Sequence, residues 1–367
     1  MLITLIKKAG AVTYMENNLF TYATSELSQD AFICWLTSYA MANAKRDDGL
    51  KECAKAFLRE CISASKFIIP DDIIVTEVPI KQYASIDVLI TVNKTFKIII
   101  EDKTFSQEHD YQLQRYVTTV QKDFPECTIC KIYFKTGFQS DLSQVENAGY
   151  TVFRRKYIIE LLEPYVGNTQ NQIFLDYFEY LNTYEQMSLQ FRYLPVKDWQ
   201  EQQIYAFYDD CKRSGRTKSS IGHVLSCNYG YVSNPAGGFY ALWIYDNQYR
   251  EVMGATCELY LQVEFTSPEL LIRLKTSIAA DDYENGIASP KSIRDKLTWR
   301  ESSPGKWNSL PEKFGFTKTT RLGNGKSMTL GTFNRQITSM ADADEVITDA
   351  IDHYYEYLAE YDMQTNF

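Results

Sequence analysis

No stretch of this 367-residue chain approaches the roughly eighteen consecutive apolar residues that a membrane-crossing helix needs, so no membrane partner is expected. The opening MLITLIKKAG carries an apolar run too short for a signal-peptide core, and its lysines follow the run instead of preceding it. A soluble, cytoplasmic protein is the expectation. Histidine is scarce: His109, His223 and His353 are scattered without metal-ligand spacing. The eight cysteines, at positions 34, 53, 61, 127, 130, 211, 227 and 257, form no compact framework, and a chain this long folds without staples, so reduced thiols are expected. Cys127 and Cys130 have CxxC spacing but lie in an apolar, strand-like run with no second pair, which argues against zinc or redox chemistry there. Positive charge is also in deficit. With 38 Lys and Arg against 47 Asp and Glu, the formal net charge is −9, which speaks against a sequence-independent nucleic-acid coat. It leaves room for an enzyme acting on a polyanion, because a metal site needs clustered carboxylates and local basic stripes can steer the substrate. There is neither an internal repeat nor a low-complexity tract.

What is present suffices for two cores. Hydrophobic residues make up 45% and charged residues 23% of the chain, the balance of a folded soluble protein. The 27 Tyr and 20 Phe supply large buried areas and stacking surfaces alike. Composition and pattern shift near Tyr193, so we expect one domain over residues 1–192 and a second over 193–367.

Residues 18–43 carry Leu27, Phe32, Trp35 and Leu36 at helical spacing, with Ser25, Ser28 and Asp30 as start signals. A second helix is expected over 50–65. The pattern then changes to period two: IIVTEVPI, SIDVLITVN and FKIIIEDKT read as three strands, the last apolar enough to be buried on both faces. A helix over 107–123, a strand CTICKIYFK, a strand YTVFRR, a helix YIIELLEPY and a long helix over 171–190 follow. Strands and helices in alternation specify an α/β fold. Beyond 193, a helix over 198–211, the strands FYALWIY, CELYLQVEF and ELLIRLKT, a loop-rich stretch over 281–315 and a terminal helix over 341–361 read as an α+β, mostly antiparallel domain.

The chemistry-bearing residues lie in the first domain. Asp87 stands in SIDVLI, and fourteen positions later Glu101 and Lys103 end FKIIIEDK. Strand side chains alternate, so Glu101 and Lys103 share a face while Asp102 points to the other, and in a hairpin Asp87 can meet them. Two carboxylates with water and a substrate phosphate suffice to hold Mg²⁺, and a lysine beside them can stabilise the charge of phosphoryl-transfer chemistry. The bland alternative makes Asp87 a strand-end charge and EDK a solvated terminus.

IDVLI, IIIEDK and EHDYQLQRY taken together resemble the PD-(D/E)XK nuclease superfamily, in its bacterial branch with the helix motif QxxxY, and ELSQDAFICWL upstream resembles that branch's first-helix motif through Glu26, Phe32 and Trp35. The resemblance covers about residues 15–185. It implies a restriction-endonuclease-like mixed sheet flanked by helices. Asp87 and Glu101 would then be metal ligands, Glu26 a further ligand, Lys103 the catalytic lysine, and Gln112 and Tyr116 substrate-binding residues that contact phosphate or brace the lysine. Mg²⁺ or Mn²⁺ is the implied cofactor and nucleic acid, most simply DNA, the implied substrate. A catalytically silent binding module and an RNA-directed nuclease are the alternatives. The sequence departs from the pattern twice: Ile86 precedes the aspartate where a proline is expected, and Gln29 replaces a histidine in the first helix.

Two further features are set aside. LGNGKSMTLG echoes a phosphate loop, but Thr320 stands where its first glycine is required, so Asn324-Gly325 reads as a hairpin turn. Lys212, Arg213, Arg216 and Lys218 form a basic turn that either meets phosphates or is simply solvated.

Overall fold

The computed structural model describes residues 17–365 except 110, 234–236, 267, 304–305 and 319–322; the apolar opening run and Thr320 lie outside the described residues. Among those described, no helix is long and apolar enough to cross a membrane, and the eight cysteines are free thiols. The chain divides into two compact units, Met1–Met187 and Ser188–Phe367.

The first unit holds a five-stranded mixed sheet of β1 (Ile80–Tyr83), β2 (Ile86–Val92), β3 (Phe96–Lys103), β4 (Thr128–Lys135) and β5 (Thr151–Arg154), in that spatial order. The β1/β2 and β2/β3 pairs are antiparallel; β3/β4 and β4/β5 are parallel. Parallel neighbours need a crossover. The helices filling these connections come after α1 (Glu26–Ser38) and α2 (Asp48–Ala64): α3 (Gln112–Asp123) joins β3 to β4, and α4 (Ser143–Asn147) joins β4 to β5. Two more helices, α5 (Arg155–Leu162) and α6 (Gln172–Leu189), complete the set.

The alternation of β2, β3 and β4 separates two cores. Val88, Ile90, Ile98, Ile100, Ile132 and Phe134 face the side of α1, α2, α5 and α6. Leu89, Ile99 and Tyr133 face the side of Leu113, Tyr116 and Val120 on α3. Strand β3 is thus buried on both faces, as its unbroken III run requires.

Three expectations are corrected here. IIVTEVPI is not a strand: only Val75 makes isolated bridges, and β1 begins at Ile80, since Pro79 offers no N–H for a ladder and Val78 is exposed. Helix α1 is confined to 26–38, and Leu27 points to solvent. Helix α3 starts at Gln112, five residues later than periodicity predicts.

The second unit is a six-stranded antiparallel sheet. Its strands are β6 (Ser226–Val232), β7 (Phe239–Val252), β8 (Ala255–Thr266), β9 (Glu269–Ile278), β12 (Phe316–Thr317) and β13 (Ser327–Ile337), in the order β12-β13-β9-β8-β7-β6. Its long helices span Glu201–Ser214 and Met340–Thr365. The stretch expected to be loop-rich instead carries a helix, Pro290–Thr298, and the small hairpin β10 (Trp299–Ser303) and β11 (Lys306–Ser309). The two arginines of the basic turn are spent on structure: Arg213 pairs with Asp209 at 2.7 Å, and Arg216 with Asp210 and Asp344 at 2.6 Å each. Asn324 lies in the connection between the antiparallel strands β12 and β13, where its side-chain oxygen accepts from Arg294 at 2.9 Å.

Candidate active site

Backbone register brings the expected residues together. Val88 pairs with Ile100 in the antiparallel β2/β3 ladder, so one step further Asp87 lies across from Glu101 on the same face. Lys103, two residues along β3, shares that face. Its Nζ donates to Glu101 Oε1 at 2.5 Å and to Asp87 Oδ2 at 3.5 Å. The Asp102 backbone N–H donates to Asp87 Oδ2 at 2.9 Å, and Gln82 Nε2 to Asp87 Oδ1 at 3.2 Å. From α3, Gln112 Nε2 donates to Glu101 Oε1 at 2.9 Å and lies 2.5 Å from the Tyr116 hydroxyl. One turn apart, Gln112 and Tyr116 share a helix face, and Gln112 meets the same Glu101 oxygen that Lys103 does.

Burial decides the electrostatics. Glu101 is fully buried, and burial first, then the Asp87 carboxylate, push its pKa up to about 8. For Lys103, burial pulls downward, but the charges of Glu101 and Asp87 outweigh it and hold the ammonium above the ordinary lysine range. Glu101 Oε2 is buried with no hydrogen-bond partner. A carboxylate pair with one orphaned oxygen, crowded enough to retain a proton, is the electrostatic environment that a divalent cation relieves, and all-oxygen donors suit Mg²⁺ or Mn²⁺. Asp87 and Glu101 therefore fit such an ion.

Glu26 is placed differently. Its Oε1 accepts from the Thr104 N–H at 2.8 Å and the Ser106 hydroxyl at 2.7 Å, binding α1 to the segment that follows β3. Among the described residues no three His, Cys, Asp or Glu side chains are grouped to hold a metal, and the Glu26 carboxylate acts on the site through its charge, which helps raise the Lys103 ammonium.

Sequence reasoning missed the buried polar layer on the other face of β3. Gln29 Nε2 donates to Asp102 Oδ1 and, at 3.2 Å, to Thr136 Oγ1, while Gln29 Oε1 accepts from the Tyr177 hydroxyl at 2.9 Å. An amide can serve these donors and acceptors at once, which gives the unexpected glutamine a physical role. Asp30, only 1% exposed, is pushed up to about 7 by burial and by Asp87. The available clue was that charged residues such as Asp102 inside an apolar run are seldom buried without a partner.

The segment joining β3 to α3 is pinned from beneath. Lys135, 1% exposed on β4, donates to the carbonyls of Thr104 at 3.1 Å and Ser106 at 2.7 Å, and burial pulls its pKa down to about 8. The Tyr133 hydroxyl at 3.2 Å and the Gln139 amide at 2.9 Å donate to Glu108 Oε2. At Gly137 an added Cβ would lie 1.9 Å from the Thr104 carbonyl oxygen, so only glycine permits this approach.

A family model described as the PD-(D/E)XK nuclease superfamily matches residues 17–230. No curated protein and no solved structure matches the chain.

Proposed function

We propose, on the premise that this chain belongs to the PD-(D/E)XK nuclease superfamily, that its first unit hydrolyses phosphodiester bonds in nucleic acid, with DNA as the substrate. The observation that carries this reading is the Lys103 ammonium lying within 2.5 Å of Glu101 and 3.5 Å of Asp87. Asp87 and Glu101 would hold one Mg²⁺ or Mn²⁺. The chemistry such an ion supplies when bound is neutralisation of phosphate charge and acidification of an attacking water.

This chain's own residues do the rest. Lys103 keeps a permanent positive charge where negative charge builds on the phosphate oxygens in the transition state. Gln112 fixes which Glu101 oxygen is occupied, leaving the orphaned Oε2 for the cation. Glu26 positions the segment after β3. The second unit selects substrate or partner.

Incubating the full chain with plasmid, linear duplex DNA, single-stranded DNA and RNA, each with Mg²⁺, Mn²⁺ or EDTA, tests this reading. Cleavage of DNA that EDTA abolishes is expected. Cleavage confined to RNA would replace the substrate assignment, and no cleavage of any substrate would favour a silent binding module.

A further inference from the structure

The segment 104–111 has two sides. Inward, Thr104, Ser106 and Glu108 are tied to Glu26, Lys135, Tyr133 and Gln139. Outward, Phe105, Gln107, His109 and Tyr111 are all exposed, the aromatic residues Phe105 and Tyr111 by 53% and 82%. From Thr104 to His109, anchored residues alternate with residues presented to solvent. Tyr111 also holds a left-handed backbone, φ 56° and ψ 23°, which is unfavourable for a bulky residue. It immediately precedes Gln112, whose amide touches Glu101, and Phe105 lies two residues past Lys103.

We infer that Phe105, Gln107, His109 and Tyr111 form a base-stacking strip, and that the nucleic acid entering this site is an unpaired strand. None of the four is a fixed cation, so the strip is not built to grip phosphates. Two rings, an amide and an imidazole are instead the groups that stack on bases and bond to their edges. Stacking on a base face requires the base to be free of its own duplex neighbours. Because the inward contacts already order the backbone, binding need order little more than the substrate. The inference rests on the nuclease reading above and names its substrate class.

The test uses the full chain and short single strands of DNA and of RNA carrying 2-aminopurine, beside matched duplexes. Binding is read in EDTA from the fluorescence change, and cleavage in Mg²⁺. Single strands are expected to bind with a stacking signature that duplexes lack, in DNA, RNA or both. Phe105→Ala and Tyr111→Ala should each weaken single-strand binding about tenfold and raise KM while leaving kcat nearly unchanged, and Tyr111→Phe should restore binding. Tyr111→Gly separates contact from scaffold: it relieves the left-handed strain, so thermal stability should rise while binding falls. Variants that bind and cleave single strands like the wild type, in a protein that does cleave, would overturn the strip and leave the nuclease reading standing. Ring-dependent binding without any cleavage would support the strip and overturn the nuclease reading. Neither binding nor cleavage by the wild type would overturn both.

Discussion

Asp87, Glu101 and Lys103 differ in what each loses on substitution, and the difference separates their roles. Lys103→Met keeps the stem and removes only the ammonium, so cleavage should fall about a hundredfold to a thousandfold with metal affinity little changed. Glu101→Gln removes a ligand charge and should weaken Mg²⁺ binding as well, with partial recovery at high metal concentration. Wild-type rates from Lys103→Met would remove Lys103 from the chemistry. Asp30 offers a test through stability. Its folded pKa of about 7 lies above the unfolded aspartate value of about 3.9, so the folded state holds the extra proton between them. The stability this contributes is complete below the unfolded value and is lost as pH rises through about 7. Asp30→Asn has no such slope. In EDTA, its melting temperature relative to wild type should therefore climb from pH 4 to pH 8; a constant difference would mean that Asp30 ionises normally.

Among the elements, β2 and β3 were the most legible, because period two and an unbroken apolar run each have one reading in a sheet with two covered faces. The same alternation placed Glu101 and Lys103 on one side and Asp102 on the other. Residues 107–109 depart from the helix expected there for a physical reason: their helical periodicity is overridden by contacts from distant chain, with Lys135 taking the Thr104 and Ser106 carbonyls and Tyr133 and Gln139 taking Glu108. No local pattern encodes a partner 25 to 31 positions away. Gln29 was illegible likewise, since its value lies in joining α1, β3 and α6 through Asp102 and Tyr177. The placement of Glu26 yields a prediction at this scale. Glu26→Ala frees the Thr104 N–H and the Ser106 hydroxyl, a loss of about 1–3 kcal/mol confined to this segment. Amide exchange at residues 104–108 should accelerate while β3 stays protected and Mg²⁺ affinity holds. A large loss of metal affinity with unchanged exchange would make Glu26 a ligand instead.

At the scale of the whole molecule, the architecture of two α/β and antiparallel parts was readable from the change of pattern near Tyr193, but the work of the second unit was not. Its arginines explain part of the silence. Each one whose side chain is described, at 192, 213, 216, 250, 273, 294 and 335, is paired with an acid within 3.4 Å. They are committed to internal structure and are poor candidates for neutralising phosphates. With a net charge of −9 and a strip that carries no fixed cation, affinity for a single strand has to come mostly from stacking. Stacking releases no counterions, whereas each phosphate contact steepens the salt dependence by about 0.7 for single strands. The slope of log affinity against log salt should therefore be shallower than about −2, equivalent to roughly three phosphate contacts or fewer. Titrating a labelled single strand in EDTA across increasing salt measures it directly. A steep slope, near that of a protein gripping six or more phosphates, would mean that lysines elsewhere on the chain hold the backbone and that the strip is secondary to them.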